Sequence, residues 1–141
     1  MKRHFISKRE TKEFQSIMEK FGISLKSKTI EIEENDQTVI YDEGKPILVK
    51  IADTWLPTLA VMLANSFPSV RIDDGAYDRI KKGANLYAAG IKEIRGTLIK
   101  NSTCIVEDSS GRPVGAALVV SEVEDVVGRK SGAHLRVYEL H

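Results

Sequence analysis

The chemistry that this chain offers is concentrated between residues 73 and 91. Cations and glycines are interleaved in this stretch: Gly75, Arg79, Lys81, Lys82, Gly83 and Gly90. A glycine has no Cβ, so a ligand backbone can come close to it. Exposed lysines and arginines contact phosphate oxygens. The combination favours a phosphate-binding surface over bond-breaking chemistry.

The same stretch has a clear local structure. Asp73 or Asp74 is predicted to cap a helix over 74–82, because a carboxylate accepts the free N–H groups of a first helical turn. Gly83 is predicted to end that helix in a left-handed conformation. The apolar residues 86–91 are then predicted to form a buried strand.

Catalytic patterns are sparse. The Asp73–Asp74 pair is explained better by helix capping than by acid–base work. The three histidines are scattered along the chain, so no metal site is expected. The single cysteine, Cys104, lies in an apolar run and is expected to be buried and inert. We therefore expect no catalytic residues, no cofactor and no enzyme activity.

The net charge of +1 hides an uneven distribution. Residues 1–28 hold eight Lys/Arg against three acids, and residues 71–100 hold seven against four. Residues 29–53 hold only two against seven. A protein that binds nucleic acid by charge alone is usually more basic overall. The basic regions are therefore either solvated helix faces or parts of one RNA-facing side.

The first half of the chain predicts a small α/β arrangement. Ser7 and Glu10 fit a capping box, and apolar residues at helical spacing follow as far as Phe21. A strand is predicted over 30–33, and a hairpin over 38–51 with its turn at 42–45. Pro57 is predicted to begin a mostly apolar helix that runs to about Ala64.

The second half predicts several short strands, including 104–106, 114–120 and 135–140, which indicates a small barrel or sandwich. Pro68 marks the expected division between the two parts. Two further glycine-containing segments lie outside 73–91: Gly111-Arg112-Pro113-Val114-Gly115-Ala116-Ala117 and Gly128-Arg129-Lys130-Ser131-Gly132-Ala133.

These segments together resemble the PUA domain, the RNA-binding module of pseudouridine synthases and archaeosine transglycosylases. The matching positions are Ile72, Asp73, Gly75, Ala76, Gly83, Ala84, Gly90 and Ile91. Ala89 replaces the proline that is common in the family. The hairpin at 111–117 and the turn at 128–133 resemble the two later family motifs.

The upstream sequence Trp55-Leu56-Pro57-Thr58-Leu59, followed by Phe67-Pro68, resembles a subfamily. That subfamily contains the malignant T-cell-amplified translation factor and ligatin, in which a small domain precedes the PUA module. The resemblance implies an α+β protein: a pre-PUA domain at 1–68, then a PUA pseudo-barrel of short strands with a short helix at 69–141. The chain would be an archaeal-type, stand-alone, cytoplasmic member without a membrane segment.

The resemblance implies binding to structured RNA, either tRNA or small-subunit rRNA, in translation initiation, re-initiation or recycling. Expected partners are that RNA, the small ribosomal subunit and a translation-factor protein. Two alternatives remain: a non-catalytic accessory or specificity subunit of an RNA-modification enzyme, and a protein-interaction domain whose RNA surface has been lost.

The expected RNA-binding residues lie on the predicted helix, the Gly83 turn and the strand after it. They are Asp73, Gly75, Arg79, Lys81, Lys82, Gly83, Ala84, Asn85, Leu86, Ala89, Gly90, Ile91, Lys92 and Arg95. A secondary RNA or partner contact is expected at Lys2, Arg3, Lys8, Arg9 and Lys12.

Overall fold

The computed structural model describes residues 3–25, 29–121 and 134–141. The chain divides into two compact units, Met1–Asn65 and Ser66–His141. Each unit is a sheet with few helices, so the chain has the predicted α+β class.

The first unit begins with strand β1 (Arg3–Phe5) and helix α1 (Lys8–Lys20). The predicted capping box is present: the Ser7 side chain accepts the Glu10 N–H, and the Glu10 carboxylate accepts the Ser7 N–H. Phe14 and Met18 face the core of this unit, and the Phe14 ring meets Trp55 edge to face at 5.0 Å.

The sheet of the first unit is an antiparallel meander in the order β1-β2-β3-β4-β5. Its later strands are β2 (Ile30–Glu34), β3 (Thr38–Asp42), β4 (Lys45–Ile51) and β5 (Thr54–Pro57). The β3–β4 hairpin closes with Glu43 and Gly44, which both have positive φ. This is the two-residue turn whose twist matches that of the flanking strands.

The prediction that Pro57 begins a helix was wrong. Pro57 is the last residue of β5 and pairs with Leu48 of β4. The helix begins two residues later, at Leu59, because the Thr58 side chain accepts the Val61 N–H and caps α2 (Leu59–Leu63). The Thr58 hydroxyl also donates to the Pro46 carbonyl at 2.7 Å, which holds the cap against β4.

The described residues of the second unit form a six-stranded sheet with one α-helix, α3 (Asp74–Lys81). Its strands are β6 (Ser69–Ile72), β7 (Leu86–Tyr87), β8 (Ile91–Arg95), β9 (Thr103–Glu107), β10 (Pro113–Val119) and β11 (His134–Leu140). Their order is β7-β11-β10-β9-β6-β8, antiparallel except for the parallel pair β6–β9.

This order forces the sheet to curl. β7 and β8 are the two edges of the sheet, and only the 3₁₀ turn Ala88–Gly90 separates them in sequence. Edge strands of a flat six-stranded sheet would lie about 24 Å apart. The link from Tyr87 to Ile91 can span only about 14 Å. The sheet therefore bends into a half-barrel that brings its edges together.

The predicted strand 86–91 is thus interrupted: the 3₁₀ turn divides it into β7 and the start of β8. The core enclosed by the curl takes residues from every strand of this unit and from α3, among them Val70, Ile80, Leu86, Cys104, Val119 and Leu135. Burial raises the pKa of the Cys104 thiol to about 12, so the thiol stays protonated and unreactive. The predicted turn at 128–133 lies outside the described residues.

Candidate nucleic-acid interface

The start of α3 is held by two carboxylates. Asp73 caps the helix as predicted, with its Oδ1 accepting the Ala76 N–H at 2.7 Å. Asp74, in the first turn, accepts a hydrogen bond from the Ser109 hydroxyl at 2.6 Å. The turn after β9 is thereby tied to the helix. Both acids serve the structure, and neither is arranged as an acid–base pair.

The end of α3 presents backbone and cations together. Gly83 follows the helix with φ of +97°, and its N–H donates to the Ile80 carbonyl at 2.9 Å. No heavy atom lies within 4 Å of the point where a Gly83 Cβ would be. Lys81 and Lys82 are exposed beside it. A phosphate backbone can reach this turn without displacing protein atoms.

Arg79 lies over the beginning of the helix. One terminal nitrogen of its guanidinium is 3.3 Å from the point where a Gly75 Cβ would be, and the other is 3.7 Å from the equivalent point at Gly90. A ligand that approaches Gly75 therefore meets the Arg79 guanidinium beside the backbone. The two glycines leave room for that side chain to lie flat, with donors in a planar fork suited to phosphate.

Gly90 allows α3 to pack closely. A Cβ at Gly90 would lie 2.6 Å from the Ala76 Cβ, a distance that atoms do not tolerate. The Gly90 carbonyl accepts the Asp73 N–H at 3.0 Å. Leu86, Gly90 and Ile91 are all buried. The Leu86 and Ile91 side chains therefore pack in the core beneath the surface residues.

Four exposed cations lie on α3, at its end and on β8, and we call them the α3 cluster: Arg79, Lys81, Lys82 and Lys92. All four are exposed, and none forms an ion pair within 4.0 Å with another of the residues that the structure describes. The Lys81 ammonium lies 5.3 Å from the centre of the Tyr77 ring. Other predicted contact residues are exposed around the cluster: Gly75, Gly83, Ala84, Asn85 and Ala89.

Arg95 differs from the α3 cluster, although the sequence grouped them together. Its guanidinium pairs with Glu93 at 3.0 Å and with Glu107 at 3.6 Å. Arg71, which the sequence analysis did not select, pairs with the same two carboxylates at 3.5 and 3.7 Å. The hydrogen bond from Arg95 holds the pKa of Glu93 below its ordinary value. We call these four residues the outer ion-pair network.

The sequence analysis missed the exposure of Tyr87. It placed Tyr87 inside a buried strand, whereas the side chain is 58% exposed. Its ring lies 5.7 Å from that of His134. Alternation along the strand could have indicated this exposure. Leu86 is buried, and successive strand residues face opposite sides, so Tyr87 faces outward.

The predicted secondary cations of the first unit lie in two places. Arg3 is paired with Glu33 at 3.6 Å and lies 3.8 Å above the Tyr41 ring. Burial, reinforced by a hydrogen bond to Glu33, raises the Tyr41 pKa. An open depression on α1 is lined by Lys8, Arg9, Lys12, Glu13 and Ser16. Lys2 lies outside the described residues.

Residues 3–25, 29–121 and 134–141 contain no group of three or more His, Cys, Asp or Glu placed to hold a metal ion. Within the same ranges, no helix has the length and apolar character needed to cross a membrane.

The amino-acid sequence of the second unit has a match among known families. The model of the PUA domain matches residues 68–138. The chain belongs to the PUA-domain family. PUA domains generally bind RNA. A second family model, described as a domain of unknown function (DUF1947), matches residues 2–65, directly before the PUA domain.

Solved PUA structures share this fold over nearly the whole chain. A conserved PUA domain protein from Thermoplasma acidophilum is 25% identical, covers 99% of this chain and 93% of its own, and superposes with a TM-score of 0.73. A PUA domain from Aeropyrum pernix K1, solved as a tartrate complex, is 17% identical and covers 99% of this chain and 85% of its own. Its TM-score is 0.77.

A part of this PUA protein also resembles a part of much longer enzymes. A glutamate 5-kinase of Paramagnetospirillum magneticum is 36% identical over 64 residues, which are 43% of this chain and 17% of the kinase. A glutamate 5-kinase of Dictyoglomus thermophilum is 32% identical over 75 residues, 50% and 20% of the respective chains. The chain thus spans about a fifth or less of the curated relatives that it matches.

Proposed function

We propose that this protein binds structured RNA, either tRNA or small-subunit rRNA, through the α3 cluster and the Gly83 turn. The observation that carries the proposal is that Arg79, Lys81, Lys82 and Lys92 are exposed and form no ion pair with any other described residue, and that the Gly83 turn is open. Membership of the PUA family, whose members generally bind RNA, supports the same assignment.

The gain from phosphate binding depends on whether a cation already has a carboxylate partner. Cations that already have carboxylate partners would have to exchange them for phosphate, with little net gain. Cations without partners release condensed counterions from RNA when they bind, which favours association. Their number is small, and the protein is close to neutral overall. Binding therefore depends on a local arrangement that fits the RNA backbone.

We further propose that the RNA is bound during translation initiation, re-initiation or recycling, in the cytoplasm. The resemblance of residues 55–59 and 67–68 to the malignant T-cell-amplified factor and ligatin subfamily supports this role. The proposed organisation is a pre-PUA domain at 1–68 and a PUA domain at 69–141, with the small ribosomal subunit and a translation factor as partners. The protein itself is proposed to be non-catalytic.

The binding test reverses two charges of the α3 cluster. Lys81→Glu/Lys82→Glu should abolish the mobility shift of labelled tRNA or of a small-subunit rRNA fragment at low salt. The melting temperature should change little, because both side chains are exposed. The matched control is Lys45→Glu/Lys100→Glu, which makes the same change in charge at exposed lysines elsewhere. Equal RNA affinity for both double variants would reject the proposed surface.

The cellular role needs a second test. Tagged protein should sediment with small ribosomal subunits, and the Lys81→Glu/Lys82→Glu variant should not. Retained RNA binding without ribosome association, together with recovery in an RNA-modifying complex, would favour the accessory-subunit alternative. An inability of the wild-type protein to bind any structured RNA would leave the protein-interaction alternative.

A further inference from the structure

Helix α1 carries cations at the end where a helix disfavours them. Lys8 and Arg9 are its first two residues, and Lys12 follows one turn later. The helix dipole places a partial positive charge at this end, so lysines and arginines are unfavourable there. In α3 the order is the opposite, with an acid in the first turn and two cations in the last. The charges of α3 therefore follow the helix dipole, whereas these charges of α1 oppose it.

Contacts within α1 do not offset this cost. Lys8 and Lys12 are four residues apart, a spacing at which like charges repel on a helix. None of the three cations forms an ion pair within 4.0 Å with another residue that the structure describes. The acid of the first turn, Glu10, already belongs to the capping box. A charge pattern that breaks a local rule without a gain in stability is typical of a functional site.

The cations lie together in the open depression on the outer face of α1, which Ser16 also lines. All of these side chains are exposed. The helical rotation of about 100° per residue places Arg9, Lys12 and Ser16 on one line along the helix. Lys8 and Glu13 lie on either side of that line. We call Arg9, Lys12 and Ser16 the α1 stripe.

The composition of the depression indicates the kind of ligand that it fits. Its lining consists of charged and polar side chains alone. A protein interface usually has an apolar centre in which aromatic or aliphatic side chains are buried, and this depression offers none. A phosphate backbone needs no apolar centre, because lysine, arginine and serine side chains contact its oxygens directly. Charge and chemistry therefore favour phosphate over a protein ligand.

We propose that the α1 stripe binds the phosphate backbone of RNA as a second site, independent of base sequence and separate from the α3 cluster. Arg9 and Lys12 each contact one phosphate, and the Ser16 hydroxyl donates to a phosphate oxygen. Arg3 is not part of this site, because it is already paired with Glu33. The inference rests on the proposed RNA-binding function and extends it to the first unit. An acidic protein segment as the ligand becomes an outcome of the test.

The experiment measures the affinity for labelled tRNA over a range of salt concentrations. Arg9→Gln/Lys12→Gln should make the slope of log affinity against log salt shallower by about 1.8, because two phosphate contacts are lost. A small-subunit rRNA fragment of unrelated sequence should show the same change. The matched control, Lys45→Gln/Lys100→Gln, removes the same charge from exposed lysines elsewhere and should keep the wild-type slope. Equal slopes for wild type and Arg9→Gln/Lys12→Gln would overturn the inference.

A second measurement separates RNA contact from a structural role of the same cations. Because both charges oppose the helix dipole, Arg9→Gln/Lys12→Gln should melt at the wild-type temperature or above it. Arg9→Lys/Lys12→Arg retains both charges and should retain the wild-type salt slope. A lower melting temperature of Arg9→Gln/Lys12→Gln with an unchanged slope would assign these cations to the stability of α1 and reject the second site.

The failures of the two proposals are distinguishable. If Lys81→Glu/Lys82→Glu loses RNA binding while Arg9→Gln/Lys12→Gln keeps the wild-type slope, the second site is wrong and the RNA-binding proposal stands. If that second variant also stops sedimenting with small ribosomal subunits, the ligand of the α1 stripe is an acidic protein segment. If wild type binds neither tRNA nor the rRNA fragment, the proposed function itself fails.

Discussion

The α3 cluster and the outer ion-pair network lie in the same unit and both contain basic side chains, yet the electrostatic states of those side chains differ. In the network, Arg71 and Arg95 share Glu93 and Glu107. In the cluster, Arg79 and three lysines have no such partners among the described residues. The difference shows which cations of this unit are already engaged by carboxylates, and the number of basic residues in a segment is a poor guide to it.

The largest effect is expected from neutralising cations of the α3 cluster and, separately, the arginines of the outer ion-pair network. Arg79→Gln/Lys92→Gln should weaken RNA binding by about a hundredfold, because two charge-assisted contacts are lost at about tenfold each. The slope of log affinity against log salt should become shallower by about 1.8 if both contacts are to phosphate. Arg71→Gln/Arg95→Gln removes the same charge and should leave that slope unchanged while lowering the melting temperature. The comparison fails if the network variant loses RNA affinity as severely as the cluster variant.

The packing beneath the cluster should have the next largest effect. Gly90→Ala places a Cβ only 2.6 Å from the Ala76 Cβ, so α3 must shift away from the 3₁₀ turn. Overpacking of this kind costs about 1–3 kcal/mol of unfolding free energy. Urea unfolding of Gly90→Ala should show that loss, and RNA affinity should fall because Arg79 moves with the helix. Ala89→Ser, at the exposed neighbouring position, is the control, and equal stability of the two variants would contradict the packing argument.

A smaller effect is expected from the basic face of α1. Lys8 and Arg9 line an open depression together with Glu13, whose charge offsets part of theirs. Lys8→Gln/Arg9→Gln should make the salt slope of RNA binding shallower by about 0.9, equivalent to one phosphate contact. The slope is measured on the same RNA as for the α3 cluster. An unchanged slope would mean that these charges only keep α1 solvated.

The smallest effect concerns pH and the network alone. The hydrogen bond from Arg95 lowers the pKa of folded Glu93 below its ordinary value of 4.5. A lowered carboxyl pKa stabilises the fold above the unfolded pKa, and that stability is lost as pH falls through the folded value. The melting temperature of the wild type should therefore exceed that of Glu93→Gln at neutral pH. The difference between the two melting temperatures should disappear below about pH 4.5. A gap independent of pH would show that the Glu93 charge is not involved.

The features that sequence predicted correctly are local ones. The capping box at Ser7, the Asp73 cap, the Gly83 helix end and the hairpin turn at Glu43–Gly44 each depend on residues within a few positions of one another. Their side-chain and backbone requirements can be read directly from residue types. The PUA family was indicated by the resemblance of residues 72–76, 83–84 and 90–91 to the signature of that family.

Apart from the exposure of Tyr87, the features that sequence did not predict depend on distant partners. Arg95 acquires Glu107 because β6 lies between β8 and β9, and only the sheet order shows this. Pro57 is suited to a first helical turn, but its pairing with Leu48 makes it a strand residue. The 3₁₀ turn at 88–90 arises from closure of the sheet, which no local pattern encodes.

Closure of the sheet through Ala88–Gly90 has a consequence for the length of the chain. Surface loops usually accept inserted residues, because their ends need not be held at one separation. The Ala88–Gly90 turn is different, since it joins the opposite edges of one sheet and its Gly90 lies beneath the Arg79 guanidinium. One added residue would rotate β8 relative to β7 and turn its side chains to the other face. Homologous chains should therefore vary in length at the 108–111 turn and keep a constant length between Tyr87 and Ile91.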